Sequence, residues 1–421
     1  MSTFTCPKAA PPAPGTPPQD DGMTTVRYRA LPADGLPWTG RDAARLRMLL
    51  DPKPGSTVKQ MIVALIPAYN GAAGIAGTVR CLRAQTRPPD RIVVVANNCT
   101  DDTAAEARRA GAGVWETHRE TRVKADALNH AFEHVLPHLA DNALVMVIDD
   151  DTAITPGYIE EAVAQFEAHP GVGGLSAVYA GRPGKTWAAW CQRNEFARWG
   201  FDCRQQRGDG RLSKAICLSG ACSVLRVRAL RDVIAARQSG RIGGGDGPRP
   251  VIYREDNQTE DFELSVALMH CGWAIRNMLR AGIETAVKPT WTELHVQRLR
   301  WNGGITETLL QYGWTRHTRA MWIRWFIYAF SVMSIPLSLF LVGERLASGA
   351  GFHLNAWMFL WIGVSATLSL HKTVTVCRTR GAWTAMAAFL LIAELPYDLF
   401  LHLTFVRSLW IYVTRAEKYW R

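Results

Sequence analysis

Ala143-Leu144-Val145-Met146-Val147-Ile148 is a continuous apolar run that ends in Asp149-Asp150-Asp151. A short uninterrupted run of this kind predicts a strand buried on both faces, as in a parallel sheet. The three carboxylates then stand at the strand's carboxyl end, where α/β sheets bind their ligands. Asp149 and Asp151 form an Asp-x-Asp pair, and two carboxylates at that spacing can hold a divalent cation against a diphosphate. Mg2+ and Mn2+ take oxygen ligands, and the ion neutralises charge on a departing phosphate. Taken alone, an acidic triplet is equally well a solvated loop or a helix cap.

Working upstream, the same pattern repeats. Met61-Ile62-Val63-Ala64-Leu65-Ile66 ends in Pro67-Ala68-Tyr69-Asn70-Gly71, and Arg91-Ile92-Val93-Val94-Val95-Ala96 ends in Asn97-Asn98-Cys99-Thr100-Asp101-Asp102. Helical stretches are expected over 74–85, 103–110 and 124–134, the second capped by Thr100 or Asp101. A third strand is expected at Gly113-Val114-Trp115. Strand and helix alternating at this spacing give a doubly wound α/β domain. Tyr69, Asn97 and the Asp triplet all fall at carboxyl ends of strands, so three sites share one sheet edge.

Downstream, Asp261 in Thr259-Glu260-Asp261 precedes a helix over 262–270. A carboxylate there can take the proton of an attacking hydroxyl; the plainer alternative is a helix N-cap. Gln297, Arg300 and Trp301 join an amide, a guanidinium able to grip a diphosphate and a ring able to stack on a sugar. The alternative for them is an amphipathic helix near a membrane with snorkelling arginine. Lys124 can contact phosphate. Residues 236–250, rich in Gly and Arg, read as a flexible surface insertion. A phosphatase of the haloacid dehalogenase type also places Asp-x-Asp after a strand. It wants Thr or Val two places after the second Asp, where this chain has Ala153.

The ends of the 421-residue chain differ from its middle. Residues 1–57 are rich in Pro and Ala and read as a largely disordered segment without a signal peptide. The catalytic domain is expected over 58–319, and 320–421 as a membrane region of two or three transmembrane or interfacial helices. Trp325 to Gly343 and Leu354 to Leu370 are uncharged runs of near-spanning length, about 20 residues. Trp383 to Val406 is apolar but holds Glu394, Asp398 and His402. Arginine and lysine beside the first two runs (Arg316, Arg319, Arg324, Lys372, Arg378, Arg380) place those flanks, and the catalytic domain, in the cytosol. The nine scattered Cys contain no Cys-x-x-Cys pair, which excludes a zinc ribbon and fits a reducing compartment. The net charge of +11 suits anionic membranes or phosphate-bearing substrates. No nucleic-acid motif accompanies it, so nucleic acid is not an expected partner.

In order and approximate spacing, Val63-Ala64-Leu65-Ile66-Pro67-Ala68-Tyr69-Asn70, Asp149-Asp150-Asp151, Thr259-Glu260-Asp261 and Gln297-x-x-Arg300-Trp301 resemble the processive family 2 glycosyltransferases, the group of cellulose, hyaluronan and poly-N-acetylglucosamine synthases. The resemblance spans about residues 60–305. It implies a GT-A fold and inverting transfer from a UDP-sugar to a glycan or lipid-linked acceptor at the lipid bilayer. Pro67, Tyr69, Asn97 and Lys124 would line the donor site, Tyr69 at the uracil. Asp149 and Asp151 would meet the diphosphate and its Mg2+ or Mn2+. Asp261 would be the general base, and Gln297, Arg300 and Trp301 would bind donor diphosphate and acceptor. One departure is Ala96-Asn97-Asn98, where the family usually has an acidic residue at the uracil. Two other readings stand beside this one: transfer to a polyprenyl phosphate, and an inactive transferase fold serving as a membrane scaffold.

Overall fold

A computed structural model describes residues 60–118, 124–205, 211–244, 249–349, 356–381 and 395–414. The Pro-rich segment expected at 1–57 lies outside them. The chain divides into two compact units. One takes the chain up to Arg182 and again over Gln206–Ala286; the other takes Pro183–Gln205 and Val287–Trp420.

In the first unit, β1 (Ile62–Ala68), α1 (Ala72–Arg83), β2 (Arg91–Asn97), α2 (Thr103–Arg109), β3 (Gly113–Thr117), α3 (Lys124–Val135) and β4 (Leu144–Ile148) follow the predicted alternation. Then come β5 (Ala153–Ile154), α4 (Tyr158–Ala168) and β6 (Val172–Gly181). α5 (Trp187–Gln205) belongs to the second unit, after which β7 (Leu212–Lys214), β8 (Cys222–Arg226), α6 (Val227–Gln238), α7 (Glu260–His270) and β9 (Ala274–Thr285) complete the first. Every residue of β1 and β4 is buried, because both strands are sandwiched between helices.

Among the described residues the sheet runs β3-β2-β1-β4-β8-β6-β9-β5, with β7 on β9. β3, β2, β1 and β4 are mutually parallel, so their carboxyl ends share one edge. β8 is antiparallel to both β4 and β6, which makes the sheet mixed beyond β4 rather than parallel throughout. Pro67 has no N–H to give a ladder. It is tolerated in β1 because the pairing to β4 ends at Leu65 and Val147, two residues earlier.

The expected flexible insertion is corrected at its start. Residues up to Gln238 complete α6, and Arg237 is 1% exposed rather than on the surface. Its guanidinium pairs with Glu263 of α7 at 2.6 Å and donates to the Ile252 carbonyl at 3.0 Å. Positions 245–248 lie outside the described residues.

The second unit continues with α8 (Trp291–Tyr312), α9 (Arg319–Ala347), α10 (Ala356–Arg380) and α11 (Leu395–Thr414). Thr290 caps α8 by accepting the Glu293 N–H at 3.2 Å, and Gly313, at φ 65°, ends it. Cys191, Leu294 and Tyr397 form a fully buried nucleus, with Trp190, Trp291 and Phe400 packed on it.

Among the described residues, no helix is long and apolar enough to cross a membrane. The expected transmembrane helices are therefore not recovered among the described residues. Arg319 and Arg324 precede the uncharged run 325–343 of α9, Glu344 and Arg345 follow it, and the side chains of 334–339 within it lie outside the description. α10 carries Lys372, Arg378 and Arg380, and 354–355 precede its described start. Positions 382–394 of the third expected segment also lie outside the described residues; its remainder, α11, holds Pro396, Asp398, His402 and Arg407. α11 turns Tyr397, Thr404 and Ser408 into buried positions.

Candidate functional site

At the shared edge of the first unit, β1 and β2 end in matched loops. Asn70 and Asn98 both adopt left-handed backbone (φ 52° and 54°), which Asn tolerates better than most residues. The Asn70 side chain accepts the Thr100 N–H at 2.8 Å, and Thr103 Oγ1 accepts the Gly71 N–H at 2.9 Å. Asp101 accepts from the backbone of both Ala72 and Thr103 at 3.1 Å, tying α1 to α2. Its hydrogen bond from the Thr103 hydroxyl holds its carboxyl below the usual range. Asp102 occupies the N-cap position of α2, and Asp101 supplies the bonds expected of a cap. This lacing leaves the Tyr69 ring 46% exposed at the end of β1, while Asn97 is buried at the end of β2.

The Asp triplet follows β4 in a turn pinned by the Asp149 N–H to the Ala221 carbonyl at 2.9 Å. Thr78 of α1 donates to the carbonyls of Asp150 at 2.8 Å and Thr152 at 3.1 Å. The close approach requires glycine in α1's first turn. A Cβ on Gly71 would sit 1.9 Å from Asp150 Oδ2, and one on Gly74 would sit 2.8 Å from the Asp150 carbonyl. Asp150 is thus more than a spacer, since its carboxyl is aimed at the start of α1. Burial, then crowding by Asp151 and Asp149, pushes its pKa up to about 6.

Lys124, the first residue of α3, places its ammonium 2.5 Å from Asp149 Oδ1, 2.9 Å from the Gly220 carbonyl and 3.7 Å from Glu260. Burial opposes the charge on Lys124, but Asp149 and then Glu260 outweigh it and hold the amine protonated. One cavity is lined by Lys124, Gly220, Ser223, Tyr253, Glu260 and Asp261.

Asp261 is the second residue of α7, and Thr259 holds the N-cap position, so Asp261 is not the cap. Its Oδ1 accepts the Phe262 N–H at 2.8 Å. A Cβ on Gly220 would lie 2.7 Å from its Oδ2, so any larger residue there would push the Asp261 carboxyl aside. Burial first, and Glu260 second, raise the Asp261 pKa above the ordinary carboxylate range, against the pull of Lys124. A carboxylate in this state takes a proton more readily than one in water.

The structure therefore brings Lys124 and Asp261 to one cavity, pairs Asp149 with Lys124 beside it, and sets Tyr69 and Asn97 along the same strand ends. Glu260, Gly220 and Asp101 also belong here. Sequence reading gave Glu260 and Gly220 no role, because their parts come from contacts up to 96 residues apart, and it offered Asp101 only as a helix cap. Asn129 is not a ligand-facing residue. Its side chain accepts the N–H groups of Ile252 and Tyr253 and donates to the Tyr253 carbonyl, fixing that wall of the cavity.

Asp149 and Asp151 fit a divalent cation by their surroundings. Asp149 already holds an ammonium, and burial, then the neighbouring carboxylates, resist ionisation of Asp150. Hard carboxylate oxygens in negative excess are the donor set that Mg2+ and Mn2+ take. Removing the ammonium exposes the same excess. Lys124→Met is expected to lower unfolding free energy at pH 7.5 by about 1–3 kcal/mol in urea titrations. The loss should shrink toward pH 5 as Asp150 and Asp261 take up protons; a loss that grows toward acid would contradict the charge arrangement.

In the second unit, Gln297, Arg300 and Trp301 stand on α8. Gln297 Oε1 is buried and has no hydrogen-bond partner among the described residues, as expected of an amide kept for a ligand. Arg300 is exposed. The buried arginine is Arg298, whose guanidinium pairs with Glu195 at 2.6 Å and lies 4.1 Å from the Trp301 ring centroid. Helical spacing could have found it: Leu294 and Arg298 are four apart and share α8's inner face, whereas Arg300 falls on the other side.

The sequence pattern of the family described as glycosyltransferase like family 2 matches residues 59–304. No curated protein matches the chain. Among solved structures, the chain is similar to the mannosyltransferase PcManGT from Pyrobaculum calidifontis, in complex with GDP-Man and Mn2+. The two are 18% identical over 83% of this chain and 93% of that one, with a TM-score of 0.49. It is similar to TarS of S. aureus at 17% identity, over 61% of this chain and 44% of that one, with a TM-score of 0.39. The α/β unit with its parallel strands β3-β2-β1-β4 is a GT-A fold. Matched by that pattern over more than half of its length, the chain belongs to the glycosyltransferase like family 2 and is a glycosyltransferase.

Proposed function

We propose that the protein is an inverting glycosyltransferase that moves a sugar from a UDP-sugar to a hydroxyl of a glycan acceptor at the cytosolic face of a membrane. The observation that carries this reading is the cavity in which Asp261, with its raised pKa, stands beside Lys124 and its Asp149 partner. Asp261 takes the proton of the acceptor hydroxyl as that oxygen attacks the anomeric carbon. The bond from the anomeric carbon to the β-phosphate oxygen breaks, and UDP leaves with the bonding pair. Lys124 meets negative charge on the diphosphate, and Tyr69 offers an exposed ring to the base. Asp149 and Asp151 would hold Mg2+ or Mn2+, which when bound neutralises charge on the leaving diphosphate. Gln297, with its unpaired buried oxygen, supports a role for Gln297, Arg300 and Trp301 in binding donor diphosphate and acceptor.

Exposed apolar side chains support the membrane setting: Ile327, Phe330 and Met333 on α9, and Leu403, Trp410 and Val413 on α11. The eight described cysteines are free thiols, which supports the cytosolic side.

The test is UDP release by the purified full chain with UDP-glucose, UDP-N-acetylglucosamine, UDP-glucuronate and UDP-galactose in the presence of Mn2+, followed by mass analysis of the product. Turnover with one donor is expected. Chelation, or Asp151→Asn, should lower the rate by about 10²–10³-fold. Tight UDP binding without turnover on any donor would overturn the enzymatic reading in favour of a scaffold. A product that partitions with lipid phosphate would overturn the glycan acceptor.

A further inference from the structure

α3 carries a second polar cluster that the transfer reaction does not use. His130, Glu133 and His134 stand at positions i, i+3 and i+4, so all three project from one face of the helix. Their potential ligand atoms, one from each residue, lie within 4.8 Å of one another, and no other trio of His, Cys, Asp or Glu among the described residues is so close. His130 Nδ1 is 3.9 Å from Glu133 Oε2. The two imidazoles lie 4.9 Å apart, centroid to centroid, with planes at 88°. Trp115 of β3, itself buried, packs on both rings at 5.0 and 5.3 Å and gives the cluster an apolar floor.

This geometry is near that of a metal centre. Tetrahedral zinc with bonds of about 2.0–2.1 Å places neighbouring ligand atoms roughly 3.3 Å apart. The present spacing, within 4.8 Å, has to close by about 1.5 Å at most to reach it, and a helix fixes the ligands' backbone in advance. Two imidazoles and one carboxylate are borderline and hard donors together, the set that suits Zn2+ and its neighbours in the first transition row. Three protein ligands leave a fourth position for water or an incoming group.

The cluster is separate from the Asp triplet. Lys124 begins α3 at the Asp149 cavity, and His130 and His134 lie six and ten residues further along. At 1.5 Å per residue that is about 9–15 Å along the axis. We infer that His130, Glu133 and His134 form a zinc-class transition-metal site on α3, distinct in position and donor chemistry from the Asp149–Asp151 pair. All three ligands come from α3, so the ion would clamp the carboxyl-terminal part of that helix where it packs on Trp115 of β3.

The test uses the untagged full chain, stripped with chelator and titrated calorimetrically with Zn2+. One zinc per chain should bind with an affinity that survives Asp149→Asn and Asp151→Asn. Loss of even an outer partner of a metal ligand weakens binding about 10–100-fold. His130→Gln and His134→Gln should therefore each weaken it at least about 100-fold. X-ray absorption at the zinc edge on the wild-type protein should show imidazole ligation, a readout that does not depend on how the variants fold. Oxygen-only ligation, or zinc binding lost in Asp151→Asn and retained in both histidine variants, would overturn the site. So would the absence of stoichiometric zinc binding by the wild-type chain.

Discussion

Asp261→Asn is expected to lower kcat by about 10²–10⁴-fold while leaving the KM for the nucleotide sugar within a few-fold. The amide is isosteric and can still accept the Phe262 N–H through its oxygen, but it cannot take a proton. Stability should move little. The folded protein holds the Asp261 carboxyl above its ordinary pKa through burial and Glu260. A raised carboxylate pKa makes a stabilising contribution at low pH that is lost as pH rises through the folded value. At pH 7.5 that contribution is already gone, and asparagine also removes the burden of a buried charge. Melting temperatures within a few degrees of wild type, together with the collapse in kcat, separate a catalytic role from a structural one. Wild-type turnover in the variant would eliminate Asp261 as the base.

The same shift fixes the direction of the pH profile. The base works only when ionised, so kcat should fall on acidification through a pKa lying above that of a free aspartate, about 3.9. Lys124 stays protonated across that range, since its pKa is held high by Asp149 and Glu260. The acidic limb of the profile therefore reports the carboxylates of the cavity rather than the amine.

The parallel half of the fold was legible because its strands leave no choice. Residues 62–66, 92–96 and 143–148 are apolar without interruption, and a run this short fits a strand covered on both faces. Their carboxyl ends then fall on one edge whatever the details. The other half of the sheet was not legible. β8 is five residues long and β5 only two, and each owes its existence to a partner distant in sequence, Leu144–Ile148 for β8 and β9 for β5. The site followed the same division. Asp149, Lys124 and Asp261 could be singled out by position next to a strand or at a helix start. That Lys124 meets Asp149 and Gly220, 25 and 96 residues away, is a property of packing. The C-terminal region misled for a different reason. Length and lack of charge were read there as spanning, whereas no described helix is long and apolar enough to cross a membrane, and α11 uses its polar positions to pack within its unit.

Arg237 and Glu263 show how strongly a contact of that kind can matter. Their charged groups meet at 2.6 Å with 1% and 0% of the side chains exposed. Removing one partner of a buried pair leaves an uncompensated charge and costs about 3–5 kcal/mol. Glu263→Leu should therefore lower the unfolding midpoint by roughly 10 °C, at about 2–4 °C per kcal/mol for a unit of this size. Calorimetry or a denaturant series at constant m-value checks it. Replacing both partners by apolar residues of similar volume is often near neutral. Arg237→Met with Glu263→Leu should accordingly be more stable than Glu263→Leu alone, although it carries one more substitution. The recovery should be incomplete, because the Ile252 carbonyl loses its guanidinium donor, at about 1–3 kcal/mol for a buried acceptor left unpaired. The pair also bears on catalysis, since Glu263 is two residues from Asp261 on α7 and Arg237 ties that helix to α6 and to the wall that Asn129 fixes at Ile252. A double variant that regains stability but not kcat would mean that the ion pair sets the position of α7's first turn. A Glu263→Leu variant within 1 kcal/mol of wild type would mean that water reaches the pair and that its burial is not what holds α6 to α7.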